Sequence, residues 1–192
     1  MLHDETLSLL RYFSSQTYNG VLEIGSYIGG STIALGDGRR GRAKGVISIE
    51  PGGQYLNHPH LPSSNILDDL KNNIKRFNLE NEILLLEGTS YNKENIKIVD
   101  ELFGSNGIDL LFIDADGEVG RDINNFFSIL NDQCILILDD YCSPGAPEKE
   151  MVVKKWVDEQ KETNQVTELG VVLWGTWVGK LNKTKNRNPK NL

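Results

Sequence analysis

The sequence predicts an α/β domain whose doubly wound, mostly parallel sheet is closed by an antiparallel hairpin. Three observations predict it: short apolar runs are continuous, amphipathic segments separate them, and the last two runs have no helix between them. Continuous apolar runs are typical of parallel strands that are buried on both faces, and helices between such strands form crossover connections. A chain of 192 residues, 39% of them hydrophobic, can build one domain with a sizeable core.

The predicted elements follow from hydrophobic periodicity. The parallel strands are GVLEI (20–24), GVISIE (45–50), EILLLEG (82–88), IDLLFID (108–114) and CILILD (134–139). The helices are ETLSLLRYFSS (5–15), STIALGDG (31–38), NILDDLKNNIKRF (65–77), NKENIKIVDELF (92–103), GRDINNFFSIL (120–130) and PEKEMVVKKWVDEQ (147–160). The stretch QVTELGVVLWGTWVGKL holds two β-like segments and predicts the hairpin. Residues 1–180 are therefore expected to form a single domain, followed by a polar, basic tail over 181–192.

Charge and composition exclude several function classes. The net charge is −7, and because the tail carries four bases and no acid, the rest of the chain is more acidic still. Such a domain lacks the basic face that phosphate binding needs, so no nucleic-acid partner is predicted. No apolar run is long enough to span a bilayer, the N-terminal MLHDETLSLLRYF has acids where a signal peptide has bases, and there are only two cysteines. These features predict a cytoplasmic protein with free thiols and no membrane partner.

The stretch VLEIGSYIGGSTIAL (21–35) has a strand, a glycine loop and a helix N-terminus, which together predict a site for a polar ligand. Its glycine spacing, with Gly25 and Gly29 after Glu23, is wider than the G-x-G-x-x-G of dinucleotide-binding proteins. Glu23 lies near the end of a buried strand, where an unpaired carboxylate is costly, so we expect it to face a cationic or hydrogen-donating ligand group. The alternative is that it caps local backbone amides.

Acidic residues mark the ends of three further strands. Glu50 ends the second strand, where a carboxylate can accept hydrogen bonds from both ribose hydroxyls; the alternative is an ordinary exposed acid.

Strand four ends in FIDADGE, with Asp114 and Asp116, and strand five ends in LILDDY, with Asp139 and Asp140. If these strands neighbour the first one, the acids converge beside the glycine loop, and protons or a cation must neutralise them. An all-oxygen ligand set favours Mg²⁺, then Ca²⁺ or Mn²⁺, whereas single acids there could be helix N-caps.

At LEIGSYIGGST and ISIEP the sequence resembles the first and second motifs of class I S-adenosylmethionine (SAM)-dependent methyltransferases, which have a Rossmann-like sheet. The resemblance implies a cofactor site in which one group of residues surrounds the methionine part and Glu50 holds the ribose. The residues expected around the methionine part are Glu23, Gly25, Ser26 and Gly29. Gly88, Thr89 and Ser90 of LLLEGTS are expected near the adenine, and Asp114 is also expected to border the cofactor.

The D-x-D and D-D-Y runs resemble a narrower group, the metal-dependent small-molecule O-methyltransferases such as macrocin O-methyltransferase, over roughly residues 20–180. The resemblance implies that Asp114, Asp139 and Asp140 hold Mg²⁺. It also implies that Asp116 is the general base and that the acceptor is a hydroxyl of a small molecule, sugar-like or polyol-like. The chain departs from the D-G-D-H-S-Y of that group, since Gly117 replaces the histidine and Val119 the aromatic residue.

Three other functions stay open at this point: an NAD-type oxidoreductase, which the glycine spacing disfavours, a non-catalytic SAM-binding module, and a related metal enzyme that catalyses hydroxylation.

His58 and His60 lie in the segment LNHPHLPSS and could line the acceptor pocket, although a proline-rich segment of this kind more often has no role in binding. Trp156, Trp174 and Trp177 are predicted to be packing residues. Only about one helix precedes the first strand, so a lid must come from internal loops, a missing segment or a second subunit, which leaves a homo-oligomer open.

Overall fold

Strands and helices alternate along the computed structural model, which describes residues 2–142, 144–172 and 175–183. The described strands are β1 Gly20–Ile24, β2 Val46–Glu50, β3 Ile83–Glu87, β4 Ile108–Ile113, β5 Leu130–Leu138, β6 Val166–Val172 and β7 Thr176–Leu181. The described helices are α1 Asp4–Gln16, α2 Gly30–Gly38, α3 Ile66–Arg76, α4 Lys93–Phe103, α5 Val119–Phe126 and α6 Pro147–Glu162. None of these helices is both long enough and apolar enough to cross a membrane.

The strands form one mixed sheet in the order β3-β2-β1-β4-β5-β7-β6. Strands β1 to β5 are parallel, and β7 runs antiparallel to both β5 and β6. This confirms the predicted doubly wound sheet with its closing hairpin. The chain moves outward in one direction from β1 and in the other from β4, so the strand order reverses between these two neighbours. A ligand crevice is expected at their carboxyl ends.

Alternating side chains of the strands enter two apolar layers, one on each face of the sheet. Val21 of β1 packs in the layer under α1, α2 and α3, and its neighbour Leu22 packs in the layer under α4, α5 and α6. Trp156 of α6 and Trp177 of β7 are buried, which confirms that they are packing residues. Trp174 lies outside the described residues. Cys134 is buried, Cys142 is exposed, and both are free.

The predicted boundary between the last helix before β5 and that strand is wrong. The helix, predicted over 120–130, ends at Phe126. Strand β5 begins at Leu130 rather than at residue 134, because a register shift lets the polar residues 131–133 join the strand. Gln133 has a φ of 64°, and such an irregular, polar start carries no apolar signal in the sequence. Near the C-terminus, β7 includes Leu181, as the predicted hairpin does, and Asn182 is also buried. The rest of the predicted tail, 184–192, lies outside the described residues.

Candidate active site

The glycine loop crosses the ends of β1 and β4 at very short range. Gly25 has a φ of 86°, and a Cβ at this position would collide with the carbonyl group of Asp114. Gly29 has a φ of 98°, and its Cβ would lie 2.6 Å from Cδ1 of Leu70. Both positions need the left-handed conformation that glycine adopts without strain, and both leave no room for a side chain. The loop therefore lies directly against the end of the sheet, and α2 begins immediately after it, at Gly30.

Glu50 holds this loop from the end of β2. Its Oε2 accepts hydrogen bonds from the backbone amides of Ser26, at 2.9 Å, and Tyr27, at 2.8 Å, and its Oε1 accepts from the amide of Gly52 at 2.9 Å. The residue is only 6% exposed, so it is not the ordinary exposed acid of the alternative interpretation. A carboxylate has about four lone-pair directions, which leaves room for a ligand hydroxyl beside the three amides.

Glu23 has no exposed surface, so no ligand can touch it in this arrangement. Its Oε2 accepts from the hydroxyls of Thr32, at 2.6 Å, and Ser48, at 2.7 Å, while Oε1 has no hydrogen-bond partner among the described residues. Burial raises the pKa of Glu23 although these hydroxyls act to lower it. Full burial leaves no surface of Glu23 for the expected ligand group, and its described partners are side-chain hydroxyls rather than backbone amides. Glu23 ties β1 to β2 and α2 beneath the loop.

The residues expected near an adenine follow β3, next to Glu50. The amide of Gly88 donates to the carbonyl of Glu50 at 3.0 Å, which holds the predicted segment Gly88–Thr89–Ser90 beside the end of β2. Ser90 is buried and its hydroxyl donates to Oδ1 of Asp122 at 2.5 Å. The side chain of Ser90 is therefore engaged with α5.

Asp114, Asp139 and Asp140 come together as predicted. Each offers one carboxylate oxygen, and these three atoms lie within 4.8 Å of one another. The cause is the sheet order: β4 and β5 are neighbours, and the amide of Asp139 donates to the carbonyl of Ile113 at 3.0 Å. We call these three residues the acid triad.

The acid triad is crowded with negative charge. Burial, together with the charges of Asp139 and Asp140, raises the pKa of Asp114 to about 7, and the nearby Lys149 opposes this rise. Burial raises the pKa of Asp139 as well, aided by Asp140 and opposed by a hydrogen bond from Thr176. Three carboxylates with only oxygen donors, partly buried at two adjacent strand ends, fit a hard divalent cation.

Lys149, near the start of α6, is a site residue that no sequence motif marks. Its Nζ lies 3.3 Å from Oδ2 of Asp140, so one internal cation already balances part of the charge of the acid triad. A lysine in a helix rich in Lys and Glu carries no pattern that marks it as part of a site. Only the packing of α6 beside the end of β5 brings it there.

Asp116 does not join the acid triad. Its two oxygens accept from Nη1 and Nη2 of Arg121 at 2.9 and 3.0 Å, and 54% of its side chain is exposed. Partial burial acts to raise the pKa of Asp116, but the hydrogen bonds from Arg121 hold it below its ordinary value. Arg121 also pairs with the buried Asp122 at 2.8 Å. An acid held in this way is a weaker base than a free one.

A cavity of about 490 Å³ opens beside the glycine loop, with Asp114 of the acid triad and Lys149 in its wall. The loop after β2 contributes His58, whose ring stacks on Tyr27 with centroids 5.3 Å apart, and the N-terminal segment contributes apolar side chains such as Leu7. His58 thus lines the cavity as suggested from the sequence. An internal loop and the N-terminal segment supply cover that the sequence could not assign.

Comparisons with known proteins agree with this geometry. A family model described as "Methyltransferase domain" matches residues 22–141. The chain is 30% identical to the uncharacterized protein R132 of Acanthamoeba polyphaga mimivirus over 124 residues, which cover 62% of this chain and 50% of the relative. The chain therefore spans about half the length of that curated relative.

Solved structures of similar fold include an O-methyltransferase from Bacillus cereus in complex with SAH (S-adenosylhomocysteine). It is 18% identical in sequence, the alignment covers 95% of this chain and 83% of that chain, and the TM-score is 0.65. TomG from Streptomyces achromogenes, an O-methyltransferase involved in tomaymycin synthesis and solved with SAM, has 15% identity, coverage of 95% and 82%, and a TM-score of 0.67. The family match covers more than half of the chain and excludes the oxidoreductase alternative. The chain belongs to the methyltransferase domain family and has the class I methyltransferase fold.

Proposed function

We propose that this chain transfers a methyl group from SAM to a hydroxyl of a small molecule, assisted by Mg²⁺. The observation that carries the proposal is the position of Asp114, which belongs to the acid triad and lines the same cavity as the glycine loop. Family membership supports the methyl donor. The O-methyltransferases of similar fold, one bound to SAH and one to SAM, support the hydroxyl acceptor.

SAM is proposed to lie across the ends of β1, β2 and β3. Gly25 and Ser26 would border its methionine part, Glu50 its ribose, and the segment Gly88–Ser90 its adenine. The support is that these residues follow three adjacent strands and that the amides of Ser26 and Gly88 are both anchored to Glu50. Glu23 acts beneath the loop rather than on the cofactor.

In the reaction, the acceptor oxygen attacks the methyl carbon, the carbon–sulfur bond breaks with its electron pair on sulfur, and S-adenosylhomocysteine leaves. The acceptor oxygen also gives up its proton to a carboxylate, for which Asp116 is the predicted residue. Asp114, Asp139 and Asp140 would hold the Mg²⁺, which would lower the pKa of the acceptor hydroxyl and fix its position. Tyr27 and His58 line the same cavity as Asp114. Asp116 keeps free lone pairs beside its two hydrogen bonds from Arg121, but these bonds make it a weaker base, so its role as the base stays a prediction.

The acceptor is proposed to be sugar-like or polyol-like. The stacked rings of Tyr27 and His58 offer a flat apolar surface to the C–H face of a sugar, while Asp114 and Lys149 offer polar contacts to its hydroxyls. This division of the cavity into an apolar wall and a charged wall supports a ligand that has both kinds of surface.

The test is methyl transfer from labelled SAM to a panel of sugars, polyols and aromatic hydroxyl compounds, with Mg²⁺ or with EDTA. We expect transfer to a sugar or polyol hydroxyl that EDTA abolishes and Mg²⁺ restores. Transfer that EDTA leaves undiminished would contradict the metal. Calorimetry with S-adenosylhomocysteine provides the control for the cofactor site, and a chain that binds none of it would contradict the methyl donor.

A further inference from the structure

A chain of hydroxyl groups connects the N-terminal helix to the acid triad. Oγ1 of Thr176, the first residue of β7, donates to Oδ1 of Asp139 at 2.7 Å. Oγ1 of Thr6, in α1, lies 3.4 Å from Oγ1 of Thr176. The two threonines are 1% and 2% exposed, so water does not compete for these contacts. None of this follows from a motif, since residues 6, 139 and 176 are far apart in the sequence.

The chain of hydrogen bonds has a direction. A threonine hydroxyl has a single proton, and an ionised carboxylate can only accept. Since Thr176 gives its proton to Asp139, Thr6 is the only one of the two threonines that can donate in their contact, which at 3.4 Å is longer than a typical O–H···O hydrogen bond. Each buried hydroxyl is then satisfied, as buried polar groups generally are, and the rotamer of Thr176 is determined from both sides.

The closing hairpin places Thr176 at this point. In the antiparallel pair of β5 and β7, Leu138 lies opposite Trp177. The next residue of β5 and the preceding residue of β7 are Asp139 and Thr176, so the same register sets them opposite each other. The buried Trp177 anchors this register in the core. The hydroxyl therefore reaches Asp139 from a rigid strand rather than from a loop.

We propose that Thr176 is a positioning residue for the metal ligand Asp139, and that Thr6 holds Thr176 in its rotamer. The inference rests on the proposed function, since it needs a cation at the acid triad. Hydrogen bonds that orient ligating side chains typically change metal affinity by about 10- to 100-fold. Leu7, the neighbour of Thr6, lines the cavity. Helix α1 thus contributes both to the cavity wall and to the support of the metal site.

The experiment measures the affinity of the whole chain for Mn²⁺, by paramagnetic resonance of the free ion, and for S-adenosylhomocysteine, by calorimetry. Thr176→Val keeps the shape of the side chain but removes its proton, so we expect Mn²⁺ binding to weaken about 10-fold or more, with S-adenosylhomocysteine affinity unchanged within about twofold. Thr176→Ser restores the hydroxyl and is expected to restore Mn²⁺ binding. Thr6→Val should weaken Mn²⁺ binding less, by about threefold, because Thr176 keeps its own bond to Asp139.

Thr167→Val in β6 is the matched control. Its hydroxyl contacts Asn182 at the far end of the hairpin, so Mn²⁺ affinity should not change. Wild-type Mn²⁺ affinity in Thr176→Val, or no recovery in Thr176→Ser, would overturn the positioning role while leaving the proposed function intact. A wild-type chain that binds no Mn²⁺ would overturn the metal in the proposed function and this inference with it. If Thr176→Val does not fold, Thr6→Val decides, since unchanged Mn²⁺ affinity there would also overturn the inference.

Discussion

Glu50 at the end of β2 is surrounded by hydrogen-bond donors, whereas the acid triad after β4 and β5 is surrounded mostly by its own negative charge. Three backbone amides donate to Glu50. The described partners of the acid triad include the hydroxyl of Thr176, the ammonium of Lys149 and the backbone amide of Asp140. Both sites lie at the carboxyl edge of one sheet, so the difference arises from what packs over each strand end.

The difference teaches how each side of the site becomes ready for a ligand. Backbone amides cannot move away without unfolding the loop, so Glu50 and the glycine loop hold each other in one geometry before any cofactor arrives. The acid triad instead keeps an excess of charge that a proton or a cation has to neutralise. The charge of Glu50 is balanced by hydrogen bonds from the protein itself, whereas the charge of the acid triad is proposed to be balanced by a metal ion.

The largest effect should come from removing a charge of the acid triad. Asp139→Asn keeps the size of the side chain but removes a proposed anionic ligand, so methyl transfer should fall by more than about 100-fold and Mg²⁺ should no longer raise the melting temperature. S-adenosylhomocysteine affinity, measured by calorimetry, should stay near the wild-type value. Retained Mg²⁺ stabilisation in this variant would show that the two sides of the site do not differ as described.

The next effect concerns the other side. Glu50→Ala leaves three amides without their acceptor, and since hydrogen bonds to a charged group contribute about 1.5–3 kcal/mol, S-adenosylhomocysteine should bind about 10- to 100-fold more weakly. Glu87→Ala is the matched control, because Glu87 ends β3 directly opposite Glu50 but is exposed. Mn²⁺ affinity should be unaffected in both variants. Equal cofactor affinity for Glu50→Ala and the wild type would mean that the adenosine binds elsewhere.

A smaller effect is expected in the pH dependence of stability without metal. Folding raises the pKa of Asp114 from 3.8 to about 7, so the stabilisation from its protonated form is full below the lower value and is lost as the pH rises through the upper one. The melting temperature of the metal-free protein should therefore fall by a few degrees between about pH 5 and pH 8. Asp114→Asn should remove most of this fall, and added Mg²⁺ should remove it in the wild type. The same change of melting temperature with pH in the metal-free wild type, in Asp114→Asn and in the wild type with Mg²⁺ would argue against charge crowding.

The smallest effect is expected at Asp116. Because Arg121 donates to both oxygens of Asp116 and weakens it as a base, Asp116→Asn should lower kcat by less than about 10-fold, whereas loss of a true general base typically costs about 10²- to 10⁴-fold. The pH profile of kcat is the second measurement, and it should keep its wild-type shape. A loss above about 100-fold together with a shifted profile would restore the sequence-based assignment of the base.

Several parts of this molecule could be predicted from local patterns. The strand and helix alternation, the hairpin and the convergence of Asp114 with Asp139 and Asp140 are all confirmed. They depend on hydrophobic period, on glycine spacing and on the rule that parallel strands end at one edge. The start of β5 was missed because residues 131–133 are polar and enter the sheet only through a register shift.

The sequence by itself determined which residue types stand at each strand end, because those positions follow from short-range periodicity. Only the tertiary structure decided what each side chain contacts. Glu23 lies under the loop with Thr32, and Asp116 is held by Arg121. Thr176 reaches Asp139 only because the β5–β7 register brings together residues that are 37 apart in the chain. Such contacts depend on the packing of distant elements, and no local pattern encodes which of several nearby donors a carboxylate will find.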